Sequence, residues 1–220
     1  MSKVWAVFRK DLLVELRTKD TLNSMLFFGI VVLVIFNFAL ESLRESIRPA
    51  VPGILWVAFA FSGTLGLNRM FASEKENGCL QGLLMVPVDR GVIYFGKMLS
   101  TLIFMLVVEA LTLPVFTAFF GVNLFDGRLV LVVLLGTLGF ASVGTVLSAM
   151  TAQTRAREVL LPILLLPVAA PVLIAAVKAT SGILDGLPMS DLRLWMTLLA
   201  AFDVLFPAVA FMTFDYVVKE

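Results

Sequence analysis

The sequence predicts an all-α membrane protein with about six transmembrane helices. Of its 220 residues, 60% are hydrophobic and only 15% are charged, whereas about 25% of the residues in a soluble domain are charged. Six apolar runs lie along the chain, and each is long enough to cross about 30 Å of hydrocarbon as a helix. No globular core of this size could cover so much apolar surface, so we expect lipid to surround much of the chain.

The composition also excludes several classes of function. The formal net charge of +1 argues against nucleic-acid binding, which normally shows as a strong basic excess. Cys79 is the only cysteine, so neither an internal disulfide nor a multi-cysteine zinc site is expected. The chain has no histidine, which removes the commonest general base and the commonest metal ligand. We therefore predict no catalytic residue and no metal site.

The polar segment 1–20 precedes the first span and predicts an interfacial amphipathic helix. At 100° per residue, four apolar side chains share one stripe, and three basic residues lie well away from it. The stripe consists of Trp5, Phe8, Leu12 and Leu16, and the basic residues are Lys3, Lys10 and Arg17. Such a helix lies in the membrane surface or between the membrane and a partner. The alternative is an ordinary anchor that flanks the first span.

One transmembrane domain is expected over residues 1–220, with six spans in chain order. They lie at about 21–40, 51–67, 97–120, 129–150, 159–177 and 194–218. The small residues Gly136, Gly139, Gly144 and Ser148 in the fourth span predict close helix packing inside the bundle. The fifth span contains Pro162, Pro167 and Pro171, each of which removes a backbone donor and is expected to kink the helix. Residues 181–188 predict an outside turn.

Both termini are predicted to be cytoplasmic, because lysine and arginine concentrate in the inside segments of membrane proteins. With the N-terminus inside, twelve basic residues fall in inside segments and five in outside segments. The inside set is Lys3, Arg9, Lys10, Arg17, Lys19, Arg69, Lys75, Arg90, Lys97, Arg155, Arg157 and Lys219. The outside set is Arg44, Arg48, Arg128, Lys178 and Arg193.

The longest polar segment is the inside loop between spans two and three, residues 69–96. Asn77 and Gly78 mark a turn. Leu80, Leu83 and Leu84 then follow at the spacing of one helix face, and Pro87 stops the run. We predict a short amphipathic helix outside the membrane that docks on a partner. The alternative is a helix that rests on its own bundle or on lipid headgroups.

The segment from Gly91 to Met98 resembles a phosphate-binding loop, and we reject that interpretation. Such loops end in Gly-Lys followed by Ser or Thr, whose hydroxyl binds magnesium, but Met98 stands at that position here. No strand-rich domain precedes the segment, and Lys97 opens a membrane span. The chain is not expected to hydrolyse ATP by itself.

Two acids lie inside predicted spans, Glu109 in the third and Asp203 in the sixth. A charge at bilayer depth costs several kcal/mol, so such residues usually mark a pathway or an interface. No lysine or arginine lies in the central part of any span to pair with them. The structural alternative is a hydrogen bond to a neighbouring helix, with Thr112 or Ser142 as donor.

A family resemblance follows from these motifs. The segment from Glu74 through Gly78, Leu80 and Leu84 to Pro87, followed by Gly96-Lys97, resembles the E-x-E-x-G-x-L-x-x-L-L-x-x-P…G-K pattern of ABC-2 type permeases. Two further stretches narrow the resemblance to the cytochrome c maturation protein B (haem exporter B) family. They are Phe8-Arg-Lys-Asp11-Leu-Leu-x-Glu15-Leu-Arg17 and Val107-Val-Glu109-Ala-Leu-Thr-Leu-Pro114.

The resemblance implies a permease subunit of the bacterial inner membrane that binds no ATP itself and pairs with a cytoplasmic ABC ATPase. It also implies a haem-handling membrane subunit as partner, haem as cargo, and a role in haem delivery for c-type cytochromes. A second copy of the chain is expected, because six spans make half of a usual transporter. The implied ATPase-coupling residues are Glu76, Gly78, Leu80, Leu83, Leu84, Pro87, Arg9, Lys10, Asp11, Glu15 and Arg17.

Three other functions fit the same sequence. The first is an ABC-2 permease for another cargo, such as a drug, a lipid or a polysaccharide. The second is an intramembrane enzyme, which would need Glu109 and Asp203 to converge on one cavity. The third is a passive scaffold that anchors an ATPase without responding to it.

Overall fold

The computed structural model describes residues 3–41, 48–76, 90–124, 126–152, 154 and 156–217. This part of the chain contains helices and no β-strand. The helices are α1 (Lys3–Thr18), α2 (Asp20–Ala39), α3 (Val51–Glu76), α4 (Arg90–Phe120), α5 (Gly127–Thr151), α6 (Arg157–Leu184) and α7 (Met189–Val217). The six from α2 to α7 are long and apolar enough to cross a membrane. The predicted all-α membrane protein with six spans is therefore confirmed.

Several helices extend beyond the predicted spans. Helix α4 begins at Arg90 rather than at Lys97, and α6 continues to Leu184. Ser181 and Gly182 are therefore helical, and the predicted turn is confined to residues 185–188. The predicted spans were bounded at Lys97 and Lys178, but both lysines lie within helices, so a charged residue did not mark the helix end here. Helix α6 also runs through its three prolines as one helix.

Helices α3 and α5 form the interior of the bundle, and α2 and α7 lie at its outside. Helix α5 packs against α3, α4, α6 and α7. Its small residues explain this position, because they let other helices approach closely. A side chain at Gly136 would overlap the ring of Trp56, and one at Gly144 would overlap Leu67. Ser148 Oγ donates to the carbonyl of Leu67 at 3.2 Å. The prediction of close packing inside the bundle is confirmed.

Buried hydrogen bonds join the helices at several points. Trp56 Nε1 on α3 donates to Thr180 Oγ1 on α6 at 3.0 Å. Tyr94 on α4, which is fully buried, donates to the carbonyl of Ser142 on α5 at 3.2 Å. Bonds of this kind between membrane helices contribute about 0.6 kcal/mol each on average. They fix the register of the helices more than they add to stability.

The contacts at the two ends of the bundle agree with an even number of spans. At one end, Tyr94 near the start of α4 packs against Phe214 near the end of α7. At the other end, Arg128 donates to the carbonyl of Leu187 at 3.0 Å. The same Arg128 side chain donates to the carboxylate of Asp126, and these bonds hold the pKa of Asp126 below its ordinary value. The start of α4 and the end of α7 therefore lie on one side of the bundle.

Candidate coupling site and intramembrane acids

Helix α1 joins α2 through a tight corner. Lys19 adopts a left-handed conformation with φ of 57°, which turns the chain between the two helices. Glu15, only 4% exposed, accepts a hydrogen bond at 2.7 Å from the backbone N–H of Leu22 in the first turn of α2. The first N–H groups of a helix have no partner within the helix, and a carboxylate there is stabilised by the helix dipole. Glu15 therefore fixes the angle between α1 and α2.

Helix α1 also lies directly against α4, and Gly96 makes this contact possible. A Cβ atom at residue 96 would lie 2.6 Å from Cβ of Val7 and 3.3 Å from the carbonyl oxygen of Val4. The first distance is shorter than real carbon contacts allow, so any larger residue would push α1 away. Gly96 thus lets α1 and α4 approach closely at this point.

A buried ion pair stands next to this close contact. Lys97 is 1% exposed, and its ammonium nitrogen lies 3.0 Å from Oδ1 and 2.9 Å from Oδ2 of Asp11. The ammonium is hydrogen-bonded to Oδ1 and makes only an electrostatic contact with Oδ2. Lys10, whose side chain is 38% exposed, also reaches Oδ1 at 3.0 Å. Because two buried charges are costly to separate, this pair ties α1 to α4 strongly.

The ion pair lies where three helices meet. The ammonium of Lys97 stands 5.7 Å from the ring centre of Phe71, which lies near the end of α3. Helix α3 ends at Glu76 and α4 begins at Arg90. The Asp11–Lys97 pair therefore contacts α1 and both helices that flank residues 77–89. A movement of any one of these elements would reach the other two through the pair.

The face of α1 that packs on the bundle differs from the predicted apolar stripe. Only Phe8 of the stripe is buried, whereas Trp5 is 47% and Leu16 is 58% exposed. The acids Asp11 and Glu15 face the protein instead, because Lys97 and the start of α2 offer them partners. Asp11 and Glu15 are therefore buried against the protein rather than exposed on the surface of α1, and their coupling role stays a prediction. Arg9 and Arg17 are exposed and remain accessible.

The predicted coupling helix lies outside the described residues. This applies to Gly78, Leu80, Leu83, Leu84 and Pro87, and to the side chain of Glu76, whose backbone ends α3. Their role stays a prediction.

The segment that resembles a phosphate-binding loop is helical. Residues 91–98 all lie within α4, so their backbone N–H groups cannot cradle a phosphate in a loop. A phosphate-binding loop at this segment does not fit its helical backbone. The Gly96-Lys97 pair instead serves helix packing, a role that its sequence alone did not reveal.

Glu109 is buried between helices and bonded to α5. The residue is 2% exposed, and Thr137 Oγ1 lies 2.9 Å from each of its carboxylate oxygens. The expected donor Thr112 instead donates to the carbonyls of Val108 and Glu109 in its own helix. A threonine hydroxyl in a helix often donates to a carbonyl of the preceding turn. The hydrogen bond to the Glu109 carboxylate therefore comes from Thr137 instead. The carboxylate also borders a small internal cavity of about 10 Å³, room for one water molecule.

Removing the Thr137 hydroxyl is expected to destabilise the protein. Thr137→Val leaves the buried Glu109 carboxyl without its donor, which costs about 1–3 kcal/mol. Thermal unfolding in detergent would measure the loss. Thr213→Val is the matched control, since the exposed Thr213 hydroxyl bonds only to its own helix. Equal unfolding temperatures for the two variants would contradict a structural role of the Glu109–Thr137 bond.

Asp203 lies on α7 with its carboxylate turned inward. Oδ1 stands 2.9 Å from the position that a Cβ at Gly139 would take, and both oxygens are buried. Neither oxygen has a hydrogen-bond partner within the part of the chain that the structure describes. The suggested donor Ser142 donates to the carbonyl of Gly139 instead. A hydrogen bond from Ser142 to the acid is therefore not formed.

The two acids do not share a cavity. Glu109 contacts α5 at Thr137, and Asp203 contacts it at Gly139. Two positions along a helix point about 200° apart, so the acids lie on opposite sides of α5. Asp203 is also absent from the residues around the cavity beside Glu109. An intramembrane enzyme that uses both acids at one site does not fit this arrangement.

Comparison with known proteins gives one consistent family. A family model described as CcmB protein matches residues 2–219. Heme exporter protein B of Pseudomonas aeruginosa is 30% identical over 207 residues, 91% of each chain. Proteins with the same name from Bradyrhizobium diazoefficiens and Haemophilus influenzae are each 27% identical, over 192 residues (86% of each chain) and 177 residues (77% of each chain). The family match spans all helices from α1 to α7, and the chain therefore belongs to the CcmB protein family.

Proposed function

We propose that this protein is the permease subunit of an ABC-type haem exporter that acts in c-type cytochrome biogenesis. The observation that carries the proposal is the family match over residues 2–219, together with relatives named Heme exporter protein B. In this proposal the protein lies in the bacterial inner membrane with both termini in the cytoplasm. A separate ATPase subunit hydrolyses ATP, and a haem-handling membrane subunit and a second copy of the chain complete the complex.

The arrangement around Lys97 supports a coupling role. A permease without its own nucleotide site must receive motion from a partner through elements outside the membrane. Helix α1 and residues 77–89, which the sequence predicts to lie outside the membrane, would be such elements. The Asp11–Lys97 pair contacts α1 and lies beside both helices that flank residues 77–89. A partner that binds these elements differently in its two nucleotide states would shift the bundle between two arrangements.

The partner surface that we propose combines α1 with residues 76–87. On α1 the exposed cations Arg9 and Arg17 would face acidic groups of the ATPase, and Lys10 would supplement them at the edge of the ion pair. Asp11 and Glu15 would act indirectly by holding α1 in place. In residues 76–87 the apolar face would enter a groove of the ATPase. This face consists of Leu80, Leu83 and Leu84, bounded by Glu76, Gly78 and Pro87.

Charging the apolar face is expected to uncouple the complex. The triple variant Leu80→Glu, Leu83→Glu and Leu84→Glu would place three carboxylates in an apolar interface, which should abolish co-purification with the ATPase or stimulation of its turnover. The measurement is affinity purification of the tagged permease from cells that also make the ATPase and the haem-handling subunit, followed by ATPase assays.

The matched control is a triple change on the outer face of α7, which is also apolar and exposed. A glutamate on this face would place a charge in lipid, which is too costly for a control. The control changes are therefore Leu194→Ala, Val204→Ala and Leu205→Ala. These variants should keep both the ATPase and its stimulation. Unchanged assembly and unchanged stimulation in the glutamate variant would overturn the assignment of residues 80–84 to the ATPase interface.

A further inference from the structure

A groove runs between α3 and α6 on the outer surface of the bundle. It has a volume of about 350 Å³, within the range of small-molecule sites, and nearly all of its wall is apolar. From α3 it is lined by Trp56, Val57 and Phe61, and from α6 by Leu173 and Ile174. Val57, Phe61 and Ile174 are 39%, 42% and 55% exposed, so the groove is open on the outer surface of the bundle.

The groove ends at a single cation. Lys178 lines its rim, is exposed, and makes no ion pair with the residues that the structure describes. It lies at the end of α6 that is predicted to face outside. A long apolar cleft with one free ammonium at its rim favours a ligand with a flat or elongated apolar body and a carboxylate or phosphate at one end.

A second depression lies further along α3 and α6, with Phe28 of α2 also in its wall. It has a volume of about 380 Å³, shares Phe61 with the groove, and ends near Arg69 and Glu158. From Gly53 to Arg69 the two depressions follow sixteen residues of α3, a rise of about 24 Å. This length covers most of the hydrocarbon thickness of a bilayer, about 30 Å. The two depressions therefore extend from Lys178 at one end to Arg69 and Glu158 at the other.

The groove lacks the chemistry to hold iron. None of the residues that line it carries an imidazole, a thiol, a thioether or a phenol, which are the side chains that bind haem iron in proteins. A porphyrin placed there would be bound by its apolar faces and its carboxylates alone. Such binding is weak and reversible, as transit through an exporter requires.

We propose that the groove between α3 and α6 is a transit site for the porphyrin of haem, with a propionate paired to Lys178 and with no ligand to the iron. This inference rests on the proposed function, from which the cargo is taken. It goes beyond that function by assigning the contact to this subunit and by predicting that binding does not depend on iron.

The test is a titration of the full chain in lipid discs with haem and with protoporphyrin, the iron-free ring. Porphyrin fluorescence anisotropy and haem absorbance report binding, and empty discs give the background from partition into lipid. We expect equal affinity for the two ligands within about threefold and no absorbance change that indicates an axial ligand. Lys178→Gln should weaken both affinities about three- to tenfold, since a partly exposed charge pair contributes about 1 kcal/mol. Lys178→Arg should retain them.

A matched pair of tryptophan variants locates the site. Val57→Trp fills the groove and should abolish the specific signal, whereas Val204→Trp, on the exposed face of α7, should leave it unchanged. Three results would overturn the inference. The first is binding of haem but not of protoporphyrin, and the second is equal binding by the two tryptophan variants. The third is a signal no larger than that of empty discs, which would mean that only phospholipid occupies the groove. Co-purification with the ATPase is independent of these readings, so its loss would count against the proposed function alone.

Discussion

Lys97→Met is expected to release α1 from the bundle and to destabilise the protein by about 3 kcal/mol, because the buried carboxylate of Asp11 keeps only the half-exposed Lys10 as a partner. Methionine keeps most of the volume of the lysine side chain. The loss of stability therefore measures removal of the charge rather than creation of a cavity. Thermal unfolding of the purified protein measures stability. Limited proteolysis within residues 1–20 measures the detachment of α1.

Two further variants separate the ion pair from other effects. Lys10→Met removes a half-exposed contact to the same carboxylate and should cost less than about 1 kcal/mol. The double variant Asp11→Leu with Lys97→Met replaces both charges by apolar groups and should recover much of the stability. If Lys97→Met were no worse than Lys10→Met, the buried pair would not be what holds α1.

Gly136→Val is expected to disrupt the packing of α5 against α3. The new side chain would overlap the ring of Trp56, which is 2% exposed and held by its bond to Thr180. A rigid indole in a packed interface cannot move aside cheaply, and overpacking of this kind typically costs about 1–3 kcal/mol. Loss of the Trp56–Thr180 bond would add to the cost. The unfolding temperature and the yield of folded protein should both fall.

Gly127→Ala is the control for this prediction, because no atom lies within 4 Å of the added carbon. It should leave stability unchanged. In a Trp56→Ala background the cost of Gly136→Val should shrink, since the ring that blocks the new side chain is gone. An equal cost in both backgrounds would show that contact with Trp56 is not the reason.

The membrane spans could be predicted from the sequence because they depend on local composition. An apolar run such as residues 129–150 must be helical in lipid, where every backbone group needs a partner within the segment. The role of Gly136 and Gly144 followed from the same reasoning, since small residues in a span signal helix contact. The start of α4 and the end of α6 were misplaced because Lys97 and Lys178 were taken as the edges of spans, whereas both lysines lie within helices.

The details of the candidate site depended on partners far apart in the chain. Asp11 and Lys97 stand 86 positions apart, and Glu109 and Thr137 stand 28 apart. A pattern along one helix does not reveal such pairs. The amphipathic pattern of α1 was misleading for the same reason, because the buried positions of Asp11 and Glu15 are decided by what α4 and α2 offer. The Gly96-Lys97 motif was the sequence signal for this site. Its role in helix packing followed only from the structure, in which Gly96 contacts Val7 and Lys97 pairs with Asp11.

The proposal that the protein is a haem exporter permease is tested most directly by complementation. The host is a bacterium that lacks its own haem exporter protein B but keeps the ATPase and the haem-handling subunit. It would receive this chain or, in separate strains, the Lys97→Met variant and the triple variant Leu80→Glu, Leu83→Glu and Leu84→Glu. The measurement is covalent haem on a periplasmic c-type cytochrome. The account predicts that the wild-type chain restores haem attachment and that both variants fail to do so. Equal restoration by the variants, or no restoration by a wild-type chain that assembles with the ATPase, would contradict it.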